Sequence, residues 1–599
     1  MARALRLEAS TGGANPFPHP FLLRRIATAV ATRFVCDRGT GTGGTSGVLM
    51  SRLAVSLARA GVLAAAAPVL AAGALAGRPA QAQEVLPKPE PAFKGHIGRL
   101  YTDSTPDRIT PIKAPAGAPN VLLVLIDDTG YGTWGTFGGQ IATPSLDRVA
   151  NMGLRYTRFH TTALCSPTRA ALLTGRNHHS AGTGVVTEMG TGYPGYSGQI
   201  PASTAMISEV LRQHGYSTAW FGKNHNVPDW EITVSGPFDR WPDHQGFDHF
   251  YGFVGGEANQ WAPALYRDHQ RVEMQVPKGR EGNYTLNDSL ADEAIRYIYQ
   301  QKSITPDRPF FIYFATGATH APHHVPKEWM DRYKGQFDQG WDKYREETYR
   351  RQLQLGVIPP DAKLTPRPPE IPAYDSLTPD QKKVAARLME AFAAYTAQTD
   401  YEVGRILDTL ERIGQLHNTL VIWVVGDNGA SLEGTPFGTF DELPALGGSP
   451  GDPAWVLQHL DEIGGPKAYN HFPVGWAWAM NTPFQWGKQV ASHFGGMRNP
   501  LVIAWPDRIK DQGGVRTQFH HVIDIAPTIL AAAGIAEPVE VNGVKQKPIE
   551  GVSMAYTFDD AGAPGARRVQ YFELLGNRAL YQDGWIASVR HGRLPWVTG

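Results

Sequence analysis

Asn120-Val121-Leu122-Leu123-Val124-Leu125-Ile126-Asp127-Asp128 is a continuous apolar run closed by two adjacent carboxylates. A strand with one wet face alternates apolar and polar side chains. This run does not, so both of its faces must be covered, as happens inside a parallel sheet clothed by helices. The same sentence recurs at Pro309–Thr316 and at Thr419–Ala430, where the apolar run ends in Asp427-Asn428-Gly429. Helical patterns lie between the runs, at Thr143–Ala150, Thr204–His214 (Met206, Ile207, Val210, Leu211), Asn283–Gln301 and Val384–Ile413. Alternating buried strands and helices specify an α/β fold built on a large, mainly parallel sheet. Open sheets of this kind hold ligands beyond the carboxyl ends of their strands. Asp127, Asp128, Asp427 and Asn428 all fall there, and adjacent carboxylates repel one another unless a cation joins them. An all-oxygen set suits a hard divalent ion, Ca2+ or alternatively Mg2+, better than zinc.

The second decisive stretch is Leu164-Cys165-Ser166-Pro167-Thr168-Arg169-Ala170-Ala171-Leu172-Leu173-Thr174-Gly175-Arg176. Proline at an early helical position gives up an amide that has no partner anyway. The free amides of such a helix start, with their partial positive charge, favour an anionic sulfate or phosphate group. Arg169, one turn on, returns to the face of Cys165 and can fork onto anionic oxygens. Cys-x-Pro-x-Arg followed by Ala-x-Leu-x-Thr-Gly-Arg resembles the sulfatase motif. The resemblance implies the alkaline-phosphatase-like fold, with a small C-terminal antiparallel sheet, and a Cys165 oxidised to formylglycine by a separate maturation enzyme. The closest flavour is that of calcium-binding bacterial arylsulfatases acting on small sulfate monoesters.

Gly215-Tyr216-Ser217-Thr218 through Gly222-Lys223-Asn224-His225 is similar to the second sulfatase motif, and Lys488 resembles the family's late, sulfate-binding lysine. In an extended segment Lys223 and His225 face the same way. His320 sits at the exit of the Pro309–Thr316 strand. With His323 and His324 it also suggests zinc, a reading set aside because no Cys or Glu stands at ligand spacing. By resemblance, the hydrated aldehyde at position 165 attacks sulfur and Asp427 accepts its proton. Arg169, Lys223 and Lys488 offset charge on the transferred group, and His320, with Lys488, protonates the leaving oxygen. His225 deprotonates the second hydroxyl, expelling sulfate. Two rivals share much of this pattern: a phosphonate or phosphate ester hydrolase using the same nucleophile, and an unmodified, non-catalytic sulfate- or glycan-binding protein.

The 599 residues exceed one ordinary core. Apolar residues at 42% and charged residues at 19% describe a globular chain, and 56 basic against 56 acidic residues argue against a general nucleic-acid or anionic-membrane binder. A basic start at Met50–Arg59, an alanine-rich apolar core at Ala60–Ala76 and Ala80-Gln81-Ala82 compose a signal peptide over 50–82, cleaved rather than kept as a membrane anchor. That expectation makes residues 1–49 a non-native upstream extension and places the mature protein in the periplasm or outside the cell. It leaves Cys165 as the single cysteine, since the other, Cys36, precedes Met50. Residues 83–119 read as a linker or surface arm, 120–560 as the catalytic domain, and 561–599 as the start of a C-terminal subdomain that stops short of its relatives'. The proline-rich insert 326–380 reads as a rim over the site or an oligomer contact, neither a simple strand nor a long helix, and 431–480 as a long loop. Trp476, Trp478 and Trp486 either hint at an aryl group in the substrate or simply pack.

Overall fold

In a computed structural model that describes residues 84–449 and 451–597, Asn120–Leu125 is a central strand of an 11-stranded sheet. The expectations for residues 1–49 and 50–82 lie outside the described residues. Thr419–Val424 flanks this strand on one side and Phe310–Ala315 on the other, both parallel to it. Leu125 stands opposite both Val424 and Ala315, so the three strands end level. Ser217–Lys223 continues the parallel set, with Gly222 opposite Ala315. Gly153–His160 lies beyond an antiparallel strand, Arg498–Ala504, and runs in the common direction. These five strands, and His249–Phe253 parallel to Ser217–Lys223, discharge at one edge, and the sequences following them build the site.

The central strand shows why its apolar run is unbroken. Val121, Leu123 and Leu125 point into a layer formed with the helices Cys165–Thr174, Ile207–Gln213 and Ile525–Ala533. Leu122, Val124 and Ile126 point the other way, against the helices Pro144–Met152, Leu286–Ile304 and Pro379–Arg412. Each of these six side chains is fully buried, and each stabilises the fold by roughly 1.5–3 kcal/mol relative to exposure. The 34-residue helix Pro379–Arg412 starts with proline in its first turn and a capping box between Thr378 and Gln381.

Several expectations are corrected. The insert contains a 16-residue helix, Gly340–Leu355, which buries Trp341, Tyr344, Arg345, Thr348 and Gln352 at helical spacing and belongs to the core. The stretch 431–480 carries the helices Glu442–Leu446, Pro453–Gln458 and Val474–Met480 and is no simple loop. Trp476 lies 5.5 Å from Phe337 and 5.9 Å from Trp341, ring to ring, and its indole N–H donates to the Ala385 carbonyl. Trp478 lies under the Arg345 guanidinium, and Trp486 is capped by Arg590. All three tryptophans are packing residues, so their hint of an aryl group is withdrawn. The Thr204–His214 helix is divided into a short 3-10 turn, Ala202–Thr204, and Ile207–Gln213. In the N-terminal arm, Glu84–Leu86 pairs with Pro538–Val541 and buries Leu86, while most of 87–113 is exposed. Val569–Leu574, Asn577–Gln582 and Trp585–Val589 form a separate three-stranded antiparallel sheet. Among the described residues no helix is long and apolar enough to cross a membrane.

Candidate active site

The Cys165 helix begins at Cys165 itself, two residues before Pro167, and every side chain in it is buried. Thr168 ties its first turn down: its hydroxyl accepts from Thr162 N at 3.1 Å and donates to the Asp427 carbonyl at 2.7 Å. At the far end Gly175 takes φ 67°, a left-handed conformation that glycine adopts without a Cβ penalty. The helix thus presents Cys165 to the sheet edge where the carboxylates lie.

Arg169, buried one turn later, donates from Nη2 to Asp127 Oδ2 at 2.8 Å and to Asp427 Oδ2 at 3.3 Å. Lys223 Nζ is 2.6 Å from the same Asp127 oxygen. Burial alone would raise the Asp127 pKa, but Lys223 and Arg169 outweigh it and hold the group far below the usual carboxylate range. Asp427 moves the other way: burial and the neighbouring Asp127 charge push it well up, against Arg169. Asp128 is pushed up to about 6 by burial, aided by Asp127 and Glu433 and opposed by Lys488.

Asp127, Asp128 and Asp427 offer one oxygen each within 4.8 Å of one another. Asn428 Nδ2 donates to Asp128 Oδ1 at 2.8 Å, which leaves Asn428 Oδ1 buried without a hydrogen-bond partner; Asp127 Oδ1 is in the same condition. A buried acceptor left unmade costs about 1–3 kcal/mol. Orphaned oxygens beside crowded carboxylates are what a hard cation would satisfy, and these four residues fit calcium or magnesium.

Two histidines flank this cluster. His225, held at φ 58°, places Nδ1 3.2 Å from Cys165 Sγ, and its Nε2 meets Glu188 Oε1 at 2.9 Å. Burial would lower the His225 pKa, but Cys165 and Glu188 raise it to about 9. The Cys165 thiol is lowered by His225 and Lys223 against its own burial. On the opposite side, Lys488 Nζ reaches Glu433 Oε2 at 2.7 Å, Asp128 Oδ2 at 3.1 Å and His320 Nε2 at 3.1 Å. His320 Nδ1 faces the Ala321 carbonyl at 2.7 Å, so it carries the ring proton and Nε2 accepts from Lys488. Burial and the charge of Lys488 push His320 down to about 4.

All ten residues singled out from the sequence are brought together at one edge. His323 and His324 are not: His323 packs on Phe392, and His324 bonds the Ala468 carbonyl, away from His320's Nε2. Lys223 and His225 both reach the cluster, although the positive φ of His225 breaks the extended geometry invoked for them. Sequence reading missed Glu188, in the short 3-10 turn Thr187–Met189, and Glu433, in an irregular loop, with no periodic or motif signal to mark either.

The Sulfatase family model matches residues 119–535 of the chain. An uncharacterized sulfatase of Schizosaccharomyces pombe is 32% identical over 451 residues, covering 71% of this chain and 77% of that protein. An arylsulfatase of Klebsiella aerogenes is 28% identical over 480 residues, covering 76% and 95%. Among solved structures, Ps i-CgsB in complex with k-i-k-neocarrahexaose superposes with a TM-score of 0.53 at 21% identity, covering 79% of this chain and 84% of its own. That likeness is one of fold, the alkaline-phosphatase-like one.

Proposed function

Since the chain belongs to the sulfatase family, we propose that it hydrolyses sulfate monoesters, taking an aryl sulfate and water to a phenol and inorganic sulfate. One observation carries the proposal: buried Cys165 shares one charged cluster with orphaned carboxylate and amide oxygens and with three buried cations, Arg169, Lys223 and Lys488. The aryl preference is supported by the likeness to the Klebsiella aerogenes arylsulfatase. In this proposal Cys165 is converted to formylglycine by a maturation enzyme, and Asp127, Asp128, Asp427 and Asn428 hold calcium, with magnesium the alternative. The hydrated aldehyde would supply the attacking oxygen, and the cation would lower that oxygen's pKa and polarise the sulfate.

The chain's own residues do the rest. Leaving aside the His225–Glu188 pair, Asp127, Asp128, Asp427 and Glu433 carry four negative charges against the three positive charges of Arg169, Lys223 and Lys488. A divalent ion would add two positive charges to this set and so favour an anionic ester. Fixed charges in a dry site cost no reorganisation when charge develops during reaction. Asp427, with its raised pKa, is suited to accept the nucleophile's proton. Lys488 Nζ, held by the neutral His320 Nε2 that accepts from it, is placed to give the leaving oxygen its proton. His225, oriented by Glu188, would take the proton from the residue-165 side and free sulfate once conversion of the thiol removes the Cys165 charge that helps keep the imidazole protonated. The leader expected at 50–82 puts this chemistry in the periplasm or outside the cell.

The test is turnover of nitrophenyl sulfate by the full chain made in its secreting host. Release of nitrophenol that stops with a chelator and returns with calcium is the expected result. Faster cleavage of a phosphonate monoester would move the assignment to that substrate class. Sulfate binding without turnover, with Cys165 unmodified, would make it a binding protein.

A further inference from the structure

Every acid described so far in the site has a cationic partner: Asp127 and Asp427 have Arg169, Asp128 and Glu433 have Lys488, and Glu188 has His225. Two further acids next to His320 have none. Glu257 and Glu442 each bring a carboxylate oxygen within 4.8 Å of the other's and of a His320 ring nitrogen. Glu257 Oε1 accepts from the Tyr469 hydroxyl at 3.0 Å, and its Oε2 is 3.9 Å from His320 Nδ1, a proton already given to the Ala321 carbonyl. Glu442 is 1% exposed, yet both of its carboxylate oxygens lack a hydrogen-bond partner among the described residues. Its backbone is fixed in place by a bond from its N–H to the Tyr469 carbonyl. Glu257 keeps a quarter of its side chain open to solvent, so the pair can be reached from outside.

An uncompensated buried carboxylate is costly, and two in contact more so: burial and Glu257 push the Glu442 carboxyl well up, so without a cation the pair shares a proton and carries one charge. Here they lie beside the imidazole whose Nε2 holds Lys488, the proposed proton donor to the leaving oxygen. We propose that Glu257 and Glu442 form a cation subsite for the leaving group, which makes the preferred substrate a sulfate ester whose alcohol or phenol carries an ammonium or similar positive group. This rests on the sulfatase reading for the side of the site it occupies. A substrate bearing further sulfate or carboxylate groups near that position would be disfavoured, since it would meet the pair's negative charge with the wrong sign.

The experiment measures binding of three product-like phenols by calorimetry to the full chain, in wild type, Glu257→Gln and Glu442→Gln. Tyramine is cationic, 4-ethylphenol is its neutral near-isostere and 4-hydroxyphenylacetate is anionic. Tyramine is expected to bind about tenfold tighter than 4-ethylphenol, equivalent to one modest charge pair, and the anion more weakly than either. Each substitution should cut tyramine's advantage to about threefold or less, with circular dichroism reporting that the variant is folded. Equal binding of tyramine and 4-ethylphenol by wild type would overturn the proposal. So would an advantage that persists in both variants, which would leave Glu257 as a support for His320 alone. Because phenol binding needs no turnover, its failure is distinct from a failure to cleave nitrophenyl sulfate.

Discussion

Arg169 is the residue whose removal the structure prices most directly. Its guanidinium, fully buried, serves Asp127 at 2.8 Å and Asp427 at 3.3 Å. In Arg169→Met the volume is nearly kept and the charge is lost. Asp127 retains Lys223 at 2.6 Å, so the orphaned group is Asp427, left with the Asp128 N–H at 3.3 Å and the repulsion of Asp127. Leaving one buried charge uncompensated costs about 3–5 kcal/mol, an upper bound here because Asp427, already pushed well up by burial and Asp127, can take a proton instead; two such charges would cost more, and the second cation is why that sum does not apply. Adding Asp427→Asn removes the orphan, so the double variant should recover about 2–3 kcal/mol, a coupling typical of one buried network. The assay is urea unfolding followed by near-ultraviolet circular dichroism, in chelator, for wild type, both single variants and the double. Calcium should then narrow the gap between wild type and Arg169→Met, because a cation bound at a hundredfold excess over its Kd adds about 2.7 kcal/mol to the state that holds it. A single variant within about 1 kcal/mol of wild type, or strictly additive substitutions, would refute the idea that Arg169 neutralises this pair.

Two other perturbations report on separate parts of the structure. Asp400 accepts the Ser145 and Leu146 amides at 2.9 Å, yet burial pushes its pKa up to about 6. The folded state therefore binds the extra proton, and this group's contribution to stability falls as pH rises from about 4 to 6, by about 3 kcal/mol. Asp400→Asn should gain on wild type over that interval in urea unfolding, and a pH-independent difference would contradict the shift. Gly222 stands at φ 116°, where an added Cβ would lie 2.0 Å from the Ala315 carbonyl oxygen. Gly222→Ala should displace the adjoining Lys223 and lower sulfatase kcat/KM by about tenfold or more while the residue-165 peptide mass stays unchanged; full activity would show that the strand absorbs the clash.

Much of the fold was legible because parallel strands clothed on both sides must be apolar at every position, and Val121–Ile126 states that without ambiguity. The strand ends were legible for the same reason, since the chemistry begins where the apolar run stops, at Asp127 and Asp427. The helix Gly340–Leu355 was not. It buries Tyr344, Arg345, Thr348 and Gln352 through hydrogen bonds such as Arg345 Nη1 to the Trp478 carbonyl, so no hydrophobic stripe announces it. Val474–Met480 fails in the opposite sense: it is buried all round, and an apolar run of that length has no readable period. Glu188, Glu433, Glu257 and Glu442 were invisible because their importance comes from what faces them across the fold. Each is one acid in a loop or at a short helix start, meeting a histidine, a lysine or another acid through the tertiary structure alone.

The central claim is that residue 165 is a nucleophile made by modification. Cleavage after Arg158 and Arg169 isolates residues 159–169, and the mass of that peptide from protein made in its own host is the most direct measurement. A peptide lighter than the thiol form by the difference between thiol and aldehyde, and reactive toward a hydrazide, is the predicted result. An intact, alkylatable thiol in material that nevertheless releases sulfate from nitrophenyl sulfate would contradict it.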